Sequence, residues 1–239
     1  MARRLKTLGI VLAAFGLIAL AAAGVAYFKV QAGYGSLEAF SQAENVTLSY
    51  NEAGELVDRG TTEGSQAIMS LLTDDWKYPV VQSDFDPNNP LVNTASEYMY
   101  QMATVTFHTL NGTQTVTLNE DAEYNGTLYA AGTPIEVAVD GRYWTAFDRS
   151  NPIDAAVREK AWTGTAHGLI AELGVGTVTA TMLQMGVALA AAFGVLGLLG
   201  LLLGFGLIWV SRSDGLGQIP DTVETIVSTE ERQPVVAKA

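Results

Sequence analysis

Two stretches of the chain carry no alternation of hydrophobic and polar positions at all. Leu8 to Phe28 contains no charged residue, and neither does Met185 to Val210. At a helical rise of roughly 1.5 Å per residue the second run extends about 39 Å, beyond the about 30 Å of a bilayer's hydrocarbon core. The pattern predicts membrane helices over 8–28 and 179–210. A basic foot (1–7) precedes them, a domain (29–178) lies between them, and an acidic, proline-punctuated tail (211–239) expected to be disordered follows.

Between the two runs the periodicities are short. Gly33 to Ala43 places Leu37, Phe40 and Ala43 on one helical stripe. Asn45 to Tyr50 alternates as a strand, the next residues (NEAG) supply a turn, and Glu55 to Asp58 returns, which predicts a hairpin. A helical face follows over Thr61 to Thr73. Leu91 to Leu110 is the strongest helix pattern outside the apolar runs, with Thr94-Ala-Ser-Glu97 as a capping box. Thr113 to Leu118, Tyr124 to Tyr129 and Ile135 to Val139 read as a three-stranded meander, and Asn125-Gly126 signals a turn. Asn151-Pro152 begins another helix, expected to run through His167 toward the second span, with Gly164, Gly168, Gly174 and Gly176 as candidate breaks. The predicted fold class is α+β, a small antiparallel sheet with helices, inserted between two transmembrane helices.

Small residues mark both spans. Gly9, Ala13 and Gly16 recur on one face of the first, and Gly194, Gly197, Gly200 and Gly204 on the second, where the last two form GxxxG. Such stripes let another backbone approach closely, either the chain's own other span or a foreign helix. The basic start and Ala21-Ala22-Ala23 also fit a signal peptide, but the first apolar run exceeds the roughly 7 to 15 residues of a signal core, so a retained span is expected.

Charge sets the orientation and excludes some partners. Arg3, Arg4 and Lys6 precede the first run and Arg212 follows the second, whereas the facing ends offer only Lys29. Lysine and arginine are retained on the cytoplasmic side, so both termini are expected there and the middle domain outside. Segment 29–178 holds seven Lys and Arg and 20 Asp and Glu, a net charge of 7 − 20 = −13. That field repels nucleic acid, which is not expected as a partner. The chain has no cysteine, which removes disulfides and thiolate chemistry.

Catalytic patterns are sparse. His108 and His167 stand in no His-x-x-x-His or Glu-x-x-His pairing, and no GxSxG frame or phosphate loop occurs. Asp84-x-Asp86 with Asn88-Asn89 clusters oxygen ligands but lacks the glycine and closing glutamate of a calcium loop. Asn45-Val-Thr, Asn111-Gly-Thr and Asn125-Gly-Thr match the glycosylation pattern, and two of the three are equally Asn-Gly turns. No catalytic residue, cofactor or metal is therefore expected. Glu172, an ionisable group close to the second span, is a candidate interface residue, as is His167.

The Ala-rich start (Arg3 to Gly24), Tyr143 to Arg149, Asn151-Pro152 with Arg158, and the Gly-rich end (Gly176 to Gly206) occur in an order of parts that resembles a group of uncharacterised actinobacterial two-span membrane proteins. Some of that group carry a ring-opening-dioxygenase label, which would need iron ligands that this sequence does not display. The resemblance implies an envelope setting with two retained spans, and it lends no catalytic residue.

Taken with the absence of catalytic motifs, the double anchoring predicts a non-enzymatic accessory or scaffold subunit. Its Gly/Ala-rich spans would pack on an integral membrane partner, such as a respiratory or envelope-assembly complex, with the acidic domain covering that partner's outer face and lipid around the spans. An alternative is a ligand-binding or sensing module with an apolar pocket between the sheet and helix 91–110, lined by Tyr98, Met102, Trp144 and Phe147. A membrane-anchored hydrolase is a third, and it requires one of the histidines beside an acid and a nucleophile.

Overall fold

A computed structural model describes residues 2–213; residues 214–239 of the expected acidic tail lie outside the described residues. Helix α1 (Ala2–Glu44) and helix α5 (Gly164–Ser213) are long and apolar enough to cross a membrane, with windows of mean hydropathy 2.5 and 2.4. They flank a central region of short helices and small antiparallel sheets. The described residues divide into two compact units, 2–27 with 188–213, and 28–187.

In the first unit the glycine faces of the two helices meet. A Cβ added at Gly204 would lie 2.6 Å from the Ala13 nitrogen and 2.7 Å from the Gly9 carbonyl. One added at Gly16 would lie 2.7 Å from the Gly197 carbonyl, and one at Gly200 would lie 3.0 Å from the Gly16 Cα. Backbones approach this closely only where side chains are missing. Leu8, Phe15, Leu198 and Leu202 point outward, each more than half exposed.

The second unit has two cores. In the first, β1 (Ser49–Tyr50) pairs with β2 (Leu56–Val57) across the expected turn, where Asn51 Oδ1 accepts from the Ala53 and Glu55 amides. Helix α2 (Thr62–Ser70) starts where Thr61 accepts from the Gly64 amide, and a π turn (Leu71–Asp75) extends it. Helix α3 (Ala95–Leu110) carries the full capping box: Thr94 accepts from the Glu97 amide while Glu97 accepts from the Thr94 amide. The residues from Leu91 to Thr94 are not helical, since Leu91 bridges to Thr47. Ile68, Leu72, Val92 and Ala103 fill this core, together with Leu37 of α1 and Leu173 and Ala180 of α5.

The second core departs from the expected meander. β3 (Thr113–Thr117) pairs directly with β6 (Pro134–Ala138), whereas β4 (Ala122–Tyr124) and β5 (Thr127–Tyr129) form a separate hairpin. The predicted single strand over 124–129 is split by its own turn. Asn125 and Gly126 both take positive φ (50° and 76°), the conformation of a two-residue hairpin turn, so the flanking residues pair with each other. The sheet is thus three small two-stranded sheets. Val116 and Ile135 oppose each other in the β3–β6 register and pack with Val137, Val139 and the face of α4 (Pro152–Ala161) carrying Ile153 and Val157.

The helix beginning at Asn151 does not continue through His167. Asn151 caps α4 and Pro152 opens it, as the sequence predicts, but α4 ends at Trp162. The Trp162 indole is buried and donates to the Arg142 carbonyl at 3.1 Å, and Thr163 then receives the Ala166 amide as α5 starts. Anchoring that ring turns the backbone out of the helix. Gly168, Gly174 and Gly176 lie within α5 without breaking it. Along the second unit Val30 packs on Gly186 and Leu183 on Gly33, so the compact domain reaches past residue 178 to Val187.

Candidate functional site

The candidate helix-packing residues fall into two groups. Gly9, Ala13 and Gly16 face Gly197, Gly200 and Gly204, so these small residues pack the chain's own two long apolar helices against each other. Gly194 is different: a Cβ added there would meet nothing within 4 Å.

The two histidines do not converge on one site. His108 Nε2 lies 3.0 Å from Asp58 Oδ1, a half-buried pair at the end of α3. His167 Nδ1 lies 3.0 Å from the Thr163 carbonyl, a contact local to the start of α5. In the acidic loop Asp86 Oδ1 accepts from the backbone and side chain of Asn88, which is turn chemistry. Asp84 Oδ2 and Glu97 Oε1 are buried without a protein partner. No three His, Cys, Asp or Glu side chains gather into a metal-holding group among the described residues. Burial pushes the Glu97 carboxyl up despite the Asn93 and Thr94 amides that it accepts, and it pushes the nearby Tyr50 hydroxyl up to about 12. Of the three glycosylation-like motifs, Asn45 and Asn125 have positive φ and Asn111 caps α3.

The apolar pocket expected between sheet and helix takes a different form. Phe147 is buried in the second core, with the Arg142 guanidinium 4.3 Å from its ring centre. Trp144 lies under Arg158 at 4.1 Å and edge-on to His167. Tyr98 seats α5 at Gly176, and its hydroxyl is 2.8 Å from Ser41 Oγ. Tyr98 also lines a small, mainly apolar pocket with Val46, Val92 and Leu173, away from the sheet, whereas Met102 lines an apolar groove. That groove, of about 450 Å³, runs between α3 and the start of α5, where the two cores meet. Met99, Met102 and Thr106 form one wall, and His167 and Ile170 the opposite one. Trp76, Tyr143 and Trp162 close its end: Tyr143 stacks on Trp162 at 5.7 Å, and the Trp76 indole donates to the Tyr143 hydroxyl at 3.1 Å. Trp162 stands out in no sequence pattern. The aromatic residues come from segments that no periodicity joins.

Glu172 is exposed on α5. It lines a second apolar groove of about 690 Å³ with Leu37 and Phe40 of α1 and Val175 and Thr179 of α5. Phe40 is 44 % exposed and Val175 67 %. The apolar side chains farther along this flank of α5 are exposed as well: Val178, Met182 and Met185.

Comparison with known proteins adds no relative: no family model, curated protein or solved structure matches the chain.

Proposed function

We propose that the chain is a non-enzymatic accessory subunit of a membrane assembly, anchored by two paired spans with both termini cytoplasmic and its acidic domain on the outer side. The basic residues support this orientation, since Arg3, Arg4, Lys6 and Arg212 flank the ends assigned to the cytoplasm. The partner is an integral membrane protein that covers the exposed flank of α5.

One observation carries the docking reading. From Val175 to Val210, α5 has no charged residue over roughly 54 Å of helix, against about 30 Å of hydrocarbon. Val30 of α1 packs on Gly186. Beyond that level α1 becomes polar, with Gln31, Ser36, Glu38 and Gln42, while α5 still exposes Val175, Val178, Met182 and Met185. Fully burying one such side chain is worth about 1.5–3 kcal/mol, so a contiguous row is a strong drive to association. The net charge of −13 disfavours a second copy, and Glu172 at the groove favours a partner helix with an apolar face and a Lys or Arg. The glycine faces of the spans, engaged with each other, are not the docking surface in this reading.

A photo-crosslinking residue at Val178 tests it in native membranes, with the same residue at the lipid-facing Leu202 as reference. The reading expects one discrete heteromeric adduct from position 178, and loss of the native complex in mild detergent on Val178→Asp. Adducts with lipid alone, a dimer of the chain itself, or a chain that migrates alone would overturn it.

A further inference from the structure

We propose that the groove between α3 and the start of α5 binds the hydrocarbon part of an uncharged molecule, a long alkyl or prenyl chain. The inference rests on this groove and stands apart from the docking flank of α5. At about 450 Å³ the groove falls in the roughly 300–1,000 Å³ range of small-molecule sites. Its walls determine the chemistry. Each polar group that lines it already has an internal partner. The Trp76 indole donates to Tyr143, the Trp162 indole to the Arg142 carbonyl at 3.1 Å, and Thr106 to the Met102 carbonyl at 2.9 Å. The Nδ1 atom of His167 is engaged by Thr163.

A sugar, nucleotide or amino acid needs several converging donors and acceptors, and leaving its polar groups unpaired on burial costs about 1–3 kcal/mol each. Such ligands find no converging set here. The remaining capacity, the Tyr143 hydroxyl proton and the second imidazole nitrogen of His167, suits one small polar head at the rim. No lysine or arginine lines the groove, and the surrounding segment carries −13, so a fatty-acid carboxylate meets repulsion without a counter-charge. Met99 and Met102 give one wall an unbranched, polarizable surface that adapts to a flexible chain, while the stacked Tyr143 and Trp162 rings give the end a rigid one.

The test uses the purified full chain in lipid nanodiscs and a neutral long-chain fatty alcohol carrying a mid-chain diazirine, with adducts mapped by peptide mass spectrometry. The proposal expects adducts on Met99, Met102 or Ile170 that excess unlabelled alcohol removes at least about tenfold, while adducts on Leu198 and Leu202 persist because bulk lipid contact does not saturate. Ile170→Lys, at a half-exposed wall position, should lower the groove adducts to the same degree and leave the span adducts unchanged. Unlabelled straight-chain and prenyl alcohols compared as competitors identify which chain type is preferred. Adducts confined to the spans, or groove adducts that neither competitor reduces, would overturn the proposal.

Discussion

Asp154 shows how a single buried carboxylate holds the second core together. It accepts from Arg142 at 2.7 Å, from the Tyr124 hydroxyl at 3.1 Å and from the Asp148 amide at 3.1 Å. Burial by itself pushes its carboxyl up, but these donors outweigh that and hold it below the ordinary carboxylate range. Asp154→Ala leaves the Arg142 guanidinium without its partner and should cost about 3 kcal/mol, read as a fall in the thermal midpoint of the full chain in mild detergent. Because the folded pKa is the lower one, the contribution is complete above the unfolded value of about 3.9 and fades as pH falls through the folded value. The gap between wild type and variant should therefore narrow below about pH 4; a gap independent of pH there would contradict the ion pair.

Glu97 behaves in the opposite sense. Its folded pKa is raised, so its contribution is complete below about pH 4.3 and is lost as pH rises through the folded value. Glu97→Gln keeps an acceptor for the Asn93 and Thr94 amides and should be at least as stable as wild type at pH 7. A loss of more than about 1 kcal/mol in the same melting assay would show that the ionised cap is required. The capping box around Glu97 was legible because four consecutive residues specify it. The Asp154 cluster was not, because its side-chain partners lie 12 and 30 positions away, at separations that no local pattern encodes.

Among the elements, the paired helices give the sharpest contrast between glycines of equal appearance in sequence. Gly204→Val would force the side chain into the Ala13 and Gly9 backbone, an overpacking expected to cost about 1–3 kcal/mol and to loosen the span pair. At Gly194 an added Cβ meets nothing within 4 Å, so Gly194→Val should disturb the pair far less. Oxidative crosslinking between cysteines placed at Leu12 and Leu201 reads both variants; equal loss in the two would contradict the packing described for the first unit. The small-residue spacing pointed to these positions, and only the antiparallel register separates Gly194 from the others. The β region divides in the same way. Asn125-Gly126 was a local signal and its turn is present, but β3 pairs with β6 through contacts that skip the intervening hairpin. The end of α4 had no signal either, because the stop depends on burying Trp162 against Arg142.

At the scale of the molecule, charge and apolar length carry the account. The two apolar runs were plain from the sequence, and α1 and α5 realise them as single helices that extend beyond the spans. What the sequence could not separate was the part of α5 that pairs with the apolar run of α1 from the part that extends beyond it, since Val178 and Leu202 look alike until α1 is laid beside them. The measurement that tests the central claim most directly uses the absence of native cysteine. Single cysteines at Ala2 and Ser150 are exposed to a membrane-impermeant maleimide, first on intact cells and then after permeabilisation. The account predicts that Ser150→Cys is labelled in intact cells and Ala2→Cys only after permeabilisation. The reverse pattern, or labelling of both positions only after permeabilisation, would contradict it.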